Sequence, residues 1–268
     1  AMKAERLLGL QIPGQLGGEG AGLVQIAELC STLGQACSAA AMTFAMHHIK
    51  VSSLVTHGLD SPWHGRLMER IAREQLLVAS STTEAGIGGD LRNSLCAVET
   101  NGEVFALGKD ASVISYGAHA DLILATARRH PDAATSDQVL VALMTDQISL
   151  VRTGDWDTLG MRGTCSEGFC LEARNVPVEQ ILPKPFAEIA AQSMLASSHL
   201  LWSSVWYGIA TYAVDRARAS CRPRRGAGPG RCRRRRRASP RSPTRTRPCA
   251  APSRRPYAAS RTPTGTPT

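Results

Sequence analysis

The sequence lacks the motifs by which several large enzyme classes are recognised. It contains no G-x-G-x-x-G dinucleotide-binding motif, no phosphate-binding loop ending in Gly-Lys-Ser or Gly-Lys-Thr, and no H-E-x-x-H zinc motif. Ser166 is not part of a complete nucleophile elbow, because Thr164 stands where the first glycine of G-x-S-x-G belongs. The sequence therefore argues against a Rossmann dehydrogenase, a P-loop hydrolase, a zinc protease of that type and an α/β-hydrolase.

The cysteines and the long uncharged segment exclude further classes. The eight cysteines follow no disulfide framework and no secretory leader precedes them, so we expect reduced thiols and a cytoplasmic protein. Cys165 and Cys170 have no second pair, whereas a structural zinc ion needs four ligands, so no metal site is predicted. The 21 residues 194–214 carry no Asp, Glu, Lys or Arg, but four serines and a histidine among them favour a buried helix over a membrane span.

Residues 221–268 differ from the rest of the chain in composition. They contain no Leu, Ile, Val, Phe, Met, Trp, Lys or acidic residue but 15 arginines, whereas residues 1–220 carry 16 basic and 22 acidic side chains, a net charge of −6. Such a tail cannot bury a core and is predicted to be disordered. Its narrow alphabet is typical of G- and C-rich codons translated out of frame, so we predict a frameshift at about Cys221. The alternative is an arginine-rich arm that binds nucleic acid by counterion release.

The periodicity of apolar residues predicts an α+β multidomain protein. Helical spacing indicates about three helices between residues 5 and 74, and strand-like segments follow, with Asn101-Gly102 as a hairpin turn. After two prolines, a helical pattern continues to residue 220. The predicted domains are a helical amino-terminal domain, a central β domain, a long helix and the tail: 1–74, 75–185, 186–220 and 221–268. The predicted strands are 76–80, 96–100, 103–107, 122–127, 139–144, 148–153 and 169–173.

Two polar segments of the β domain predict a flavin-binding surface. Residues 82–90 combine two hydroxyls, two carboxylates and three glycines, which lets backbone amides approach a planar ligand closely. Residues 114–121 follow a strand-like run and again bring a hydroxyl next to a glycine. Glu84 belongs to the first segment and is interpreted as a residue that orients backbone rather than one that transfers protons.

These segments resemble those of the acyl-CoA dehydrogenase family. T-T-E-A-G-I-G-G-D at 82–90 is similar to the family's T-E-P-G-A-G-S-D, and I-S-Y-G at 114–117 is similar to its I-T-N-G. L-G-M-R-G-T at 159–164 resembles L-G-I-R-A-S, and V-P-V at 176–178 lies where the family has V-R-V-P. The four segments have the family's order and spacing. The resemblance covers residues 3 to about 220, so the chain resembles a family member whose carboxyl-terminal domain is truncated.

The resemblance implies a fold, a cofactor and a set of binding residues. It implies an α-helical domain, a central β-barrel and a four-helix bundle, of which the chain contains the first helix. It implies FAD as the cofactor, with Thr83 at the edge of the ring and Ser115 near N5. Gly89 and His199 are the implied substrate contacts. No catalytic residue is assigned, because no carboxylate here matches the family's glutamate base. The implied cofactor-binding residues are Ser80, Ser81, Thr82, Thr83, Gly88, Gly89, Val113, Ile114 and Ser115.

The resemblance also implies an activity and partners. The predicted function is FAD-dependent α,β-dehydrogenation of an acyl-CoA in lipid metabolism, impaired in this truncated form, with an electron-transfer flavoprotein as electron acceptor and a homotetramer in intact family members. Gly89 replaces a serine that helps to hold the thioester, and the base is absent. Both departures keep open a flavin-dependent monooxygenase on the same fold. An alternative of another class is a non-catalytic remnant or a nucleic-acid-binding protein that acts through the arginine-rich tail.

Two neighbouring histidines on the predicted second helix are a further candidate. Adjacent helical residues point about 100° apart, so His47 and His48 cannot chelate one metal together. The preferred interpretation is that backbone or solvent satisfies both rings. The alternative is that one of them faces the active site.

Overall fold

Three α-helices lie between residues 23 and 74 in the computed structural model, which describes residues 1–87 and 89–221. Its helices are α1 (Leu23–Ala36), α2 (Ser38–His57) and α3 (Pro62–Glu74). Proline at the first helical position and a serine N-cap at Ser61 begin α3, and Gln75, with φ of 55°, ends it. The prediction of about three helices is confirmed.

The helical pattern expected from residue 5 begins later in the structure. Residues 1–22 form turns and one short 3-10 helix, Gly14–Leu16. Gly17 and Gly20 have φ values of 81° and 64°, which lie in the left-handed region that interrupts a right-handed helix.

Seven strands follow within the described part of the chain, and they form two separate sheets. In the three-stranded sheet, of order β1-β4-β5, β1 runs parallel to β4 and β5 runs antiparallel to it. The four-stranded sheet has the order β2-β3-β7-β6 and is antiparallel. The strands are β1 (Val78–Ser81), β2 (Glu99–Asn101), β3 (Val104–Ile114), β4 (Leu122–Arg128), β5 (Gln138–Met144), β6 (Ile148–Arg152) and β7 (Glu167–Pro177).

The expectation of a central β-barrel is wrong for the described residues, because the sheets stack instead of closing. Alternate residues of β4 point to opposite faces: Leu122 and Leu124 pack in the core shared with the helices, whereas Ile123 and Ala125 pack against the four-stranded sheet. The three-stranded sheet is therefore the middle layer between helices and the second sheet. Covered on both faces, it reads as a continuous apolar run in the sequence.

The predicted hairpin is present one residue further along the chain. Asn101 pairs with Val104, so the loop residues are Gly102 and Glu103. Gly102 has φ of 63°, as the first residue of a two-residue hairpin loop requires.

The last described element is a helical run from Phe186 to Cys221, which confirms the long helix predicted over 186–220. It consists of α4 (Phe186–Ile189), a π-helical segment (Ala190–Met194) and α5 (Leu195–Cys221). It crosses α1 where two glycines meet: a Cβ on Gly208 would lie 2.0 Å from the Ser31 carbonyl oxygen, and a Cβ on Gly34 would lie 2.6 Å from that of Val205. Larger residues there would push the helices apart.

Three further predictions concern membrane spans, the domain boundaries and the tail. Across residues 1–87 and 89–221, no helix combines the length and the hydropathy that a membrane crossing needs. The described residues group into one compact unit, and the domain boundaries at 74 and 185 stay predictions. The predicted disorder, frameshift and nucleic-acid binding concern the tail, which beyond Cys221 lies outside the described residues.

Candidate functional site

A cavity of about 400 Å³ lies between the helices and the end of the sheets. Its sheet wall is formed by the end of β1, the loop that follows it, and the end of β3. Its helix wall is formed by α2 and the helical run 186–221. The volume is within the range of small-molecule sites. The lining residues are Met46, Ile49, Lys50, Ser80, Thr82, Thr83, Gly89, Leu91, Val113, Ser115, Tyr116, Met194, Leu195, Ser198, His199 and Trp202.

Most of the residues predicted to bind the cofactor line this cavity. Ser81 and Ile114 do not, because both are fully buried in the protein interior. Gly88 lies outside the described residues. The two predicted substrate contacts, Gly89 and His199, line the cavity from opposite walls. The predicted cofactor residues that line it are Ser80, Thr82, Thr83, Gly89, Val113 and Ser115.

A chain of hydroxyls fixes Ser115 in the sheet wall. The Ser115 Oγ lies 2.8 Å from the Ser166 Oγ, which lies 2.7 Å from the Thr164 Oγ1. Thr164 donates to the Met161 carbonyl oxygen at 2.8 Å. Each hydroxyl has one proton, so a chain that ends on this carbonyl leaves the Ser115 oxygen as an acceptor on the cavity side. The L-G-M-R-G-T motif at 159–164 thus supports the I-S-Y-G motif from behind.

The hydroxyls at the end of β1 and in the loop that follows it differ in their availability to a ligand. Thr83 donates to the Val113 carbonyl oxygen at 3.1 Å, which ties the loop to the end of β3. The hydroxyls of Ser80 and Thr82 make no hydrogen bond to another described residue, so they are free to bind a ligand. At Gly89 a Cβ would meet nothing within 4 Å, so the structure would accept the serine that the family has there.

A buried ion pair holds the glycine-rich loop against the sheets. Lys109, in β3, donates to the Glu84 carboxylate at 2.7 Å, and both side chains are buried. The backbone N–H groups of Leu95 and Cys96 donate to the same carboxylate at 2.7 and 3.1 Å, and Ser94 donates to it as well. Burial alone raises the pKa of Glu84, but the hydrogen bonds from Lys109 and Ser94 and the charge of Lys109 outweigh it and lower the pKa to about 2. Glu84 therefore stays ionised and orients the loop, as the sequence suggested.

The two histidines of α2 are structural. The His47 Nε2–H donates to the Leu8 carbonyl oxygen at 2.8 Å, and its Nδ1 accepts from the Val78 N–H at 3.1 Å. Burial lowers the pKa of His47 to about 4, so the ring is neutral at pH 7. The His48 Nε2 lies 2.9 Å from the Leu7 carbonyl oxygen. Neither ring lines the cavity, and both are held by backbone groups, as the preferred interpretation predicts.

The sequence analysis missed Lys50 and Met194, which face each other in the helix wall. Lys50 is 6% exposed, and its Nζ lies 3.2 Å from the Met194 Sδ. Burial lowers the pKa of Lys50 to about 8, so the amine is mostly protonated at pH 7. The helical spacing of Met46, Ile49 and Lys50 could have revealed a lysine on the apolar stripe of α2. No sequence signal pairs it with Met194.

The charge and polarity of the cavity limit its chemistry. None of the described residues that line it is acidic, so they include no carboxylate that could remove a proton. Small hydroxyl side chains and a glycine-rich backbone on the sheet wall, with apolar side chains opposite, suit a flat, partly polar ligand.

Comparisons with known proteins agree with the resemblance seen in the motifs. Models of known protein families give no match to this chain. The cyclohex-1-ene-1-carbonyl-CoA dehydrogenase of Geobacter metallireducens is 24% identical over 211 residues, which cover 78% of this chain and 55% of that protein. The chain spans between 54% and 59% of the length of the curated relatives it matches.

Solved structures share the fold. The structure of a glutaryl-coenzyme A dehydrogenase with glutaryl-CoA has a TM-score of 0.70 and 22% identity, and the match covers 83% of this chain and 57% of that one. The dibenzothiophene monooxygenase TdsC of Paenibacillus sp. A11-2 has a TM-score of 0.67 and 20% identity, with the same coverage. The resemblance to the acyl-CoA dehydrogenase family is confirmed by the named relatives and by this fold.

Proposed function

We propose that this chain, which resembles acyl-CoA dehydrogenases in sequence and fold, provides the flavin site of an FAD-dependent oxidoreductase that oxidises an acyl thioester between Cα and Cβ. The observation that carries the proposal is that two polar segments, residues 80–83 and 113–115, meet at one cavity with Gly89. Relatives named for dehydrogenation of CoA thioesters support the substrate class.

The residues suit FAD through their hydrogen-bonding capacity. The hydroxyls of Ser80 and Thr82 are available to bind the ligand, and the acceptor oxygen of Ser115 is held in position by Ser166. Val113 is partly exposed and offers an apolar contact beside them. When bound, FAD would supply the hydride acceptor, which no side chain can provide.

The catalytic base and the contacts that complete the oligomer are proposed to come from outside the described residues. The cavity residues described include no carboxylate, and the chain spans little more than half of its relatives' length. Helix α5 also exposes large apolar side chains. Their exposure supports the proposal that α5 is the first helix of a bundle and that it contributes to a homo-oligomer. The proposed electron acceptor is an electron-transfer flavoprotein. The exposed side chains are Trp206, Tyr207, Tyr212 and Val214.

The proposal is tested by titrating the chain with FAD and following the quenching of flavin fluorescence. We expect binding that Thr82→Val weakens by up to about tenfold, because one neutral hydrogen bond is lost. Thr32→Val is the matched control, since Thr32 lies on the exposed side of α1 and its hydroxyl donates to the Glu28 carbonyl oxygen. Absence of quenching in well-folded protein would refute the proposal. Bleaching of the bound flavin by an acyl-CoA would establish the substrate class.

A second candidate is a flavin-dependent monooxygenase, supported by the fold of TdsC and by the lack of an acidic residue among those described in the cavity. Oxygen consumption with externally reduced flavin and a small aromatic substrate, without bleaching by any acyl-CoA, would favour it over dehydrogenation.

A further inference from the structure

Lys50 occupies an unusual position for a lysine. It lies in the middle of α2 and is buried in the helix wall of the cavity, beside Ile49 and opposite Met194. Its ammonium group has three protons to donate, and the Met194 Sδ, at 3.2 Å, is its one hydrogen-bond partner among the described residues. A thioether is a weak acceptor, so most of the donor capacity of Lys50 is unused.

The serines that neighbour Lys50 and Met194 along the two helices have hydrogen-bond partners other than Lys50. Ser53 donates to the Ile49 carbonyl oxygen at 3.2 Å, and Ser198 donates to that of Met194 at 2.6 Å. The Ser197 Oγ lies 3.2 Å from the Ser52 Oγ. No described residue lining the cavity is acidic. Among the described residues no carboxylate pairs with Lys50. A buried positive charge without a counter-ion is costly unless a ligand provides one.

The backbone opposite Lys50 is also irregular. Residues Ala190–Met194 are π-helical, and such single turns occur often at functional sites. Within this turn Ser193 and Met194 are both buried against α2, where the Ser193 Oγ lies 3.0 Å from the His57 Nε2. The π turn thus places Met194 against Lys50 in the lining of the cavity.

We propose that Lys50 binds a carboxylate carried by the acyl group of the substrate, so that the substrate class is an acyl thioester with a second, acidic end. The inference rests on the proposed function for the thioester but on the geometry of Lys50 for the carboxylate. The carboxylate would accept the hydrogen bonds that the ammonium group does not make to the described residues. Because Lys50 is buried, such a charge-assisted hydrogen bond is strong. Met46, Ile49 and Trp202 offer apolar contacts to the carbon chain beside it.

The test uses the full chain with methionines labelled at the methyl carbon and glutarate as the probe. The Met194 methyl resonance, identified by its loss in Met194→Leu, reports on the immediate surroundings of Lys50. We expect glutarate to shift this resonance, and Lys50→Met to weaken binding by about tenfold or more, because one charge-assisted hydrogen bond is lost. Lys50→Arg should retain binding. The exposed Lys184→Met is the matched control, and the arginines of the tail are common to all variants.

Three results would overturn the inference. They are equal glutarate binding by Lys50→Met, an equal response to the diamide of glutaric acid, and an equal response to inorganic phosphate, which would indicate an unselective anion site. If Lys50→Met does not fold, the Met194 shift with the three probes in the native chain and in Lys50→Arg decides between these results. Flavin titration is independent: loss of FAD binding with intact glutarate binding refutes the proposed function alone, and the reverse refutes this inference alone.

Discussion

Two buried lysines, one in the helix wall of the cavity and one behind its sheet wall, differ in their partners. Lys109, behind the sheet wall, donates to the Glu84 carboxylate and also to the Thr126 carbonyl oxygen at 2.7 Å. Lys50, in the helix wall, has only a thioether among the described residues. The charge of Lys109 is balanced by a carboxylate, whereas the charge of Lys50 has no carboxylate partner among the described residues. The difference indicates that Lys109 fixes the glycine-rich loop of the sheet wall, whereas Lys50 keeps hydrogen-bond donors that the described residues do not use.

The largest expected effect comes from removing the paired lysine. Lys109→Met leaves the Glu84 carboxylate buried without its cation, and we expect the free energy of unfolding to fall by about 3–5 kcal/mol. Urea denaturation measures it. The control is Lys184→Met: Lys184 pairs with Glu188 at 3.3 Å on the surface, so its loss should cost less than about 1 kcal/mol. Similar small losses in both variants would remove the distinction between the two walls.

Replacing the unpaired lysine, Lys50, should change the free energy of unfolding in the opposite direction. In Lys50→Met an apolar chain of similar length replaces a buried ammonium group that lacks good acceptors, so we expect the free energy of unfolding to rise by about 1–3 kcal/mol in the absence of ligand. The same urea experiment measures it. A loss of stability as large as that of Lys109→Met would mean that the fold does satisfy Lys50.

Acid should reduce the contribution of Glu84 to the free energy of unfolding within a defined pH range. The pKa of Glu84 is lowered from 4.5 to about 2, so its ionised form stabilises the folded state. This contribution is complete above the unfolded pKa near 4.5 and is lost as the pH falls from there to about 2. We expect the stability difference between the native chain and Glu84→Gln to be constant from pH 7 to about 5 and to shrink below pH 4.5. A difference that stays constant down to pH 2.5 would contradict this.

The smallest expected effect concerns the hydroxyl chain behind Ser115. Ser166→Ala removes the partner that orients the Ser115 hydroxyl, and we expect FAD affinity to fall by no more than about tenfold, with little change in stability. Fluorescence titration measures it, with Ser149→Ala on the exposed side of β6 as the control. A much larger loss would mean that Ser166 itself contacts the ligand.

The sequence predicted the sheet wall better than the helix wall. Thr82, Thr83 and Ser115 lie in short motifs with hydroxyl groups and glycines, a composition that predicts close contact with a ligand. All three line the cavity. The barrel, which the family resemblance implied, was wrong for the described residues, because motifs within single segments do not determine which strand edges pair. Lys50 carries no motif, so its burial could not be separated from that of an ordinary helix lysine that extends to solvent.

What the sequence determined by itself is local: the helix periods, the hairpin near Gly102, the glycine-rich loop and the family resemblance all depend on residues close together in the chain. Only the tertiary structure decided that Lys50 meets Met194, 144 residues away, and that Ser115 meets Ser166, 51 residues away. Such pairs form because helix and sheet layers pack over one core, and the relative position of those layers depends on the whole set of buried side chains.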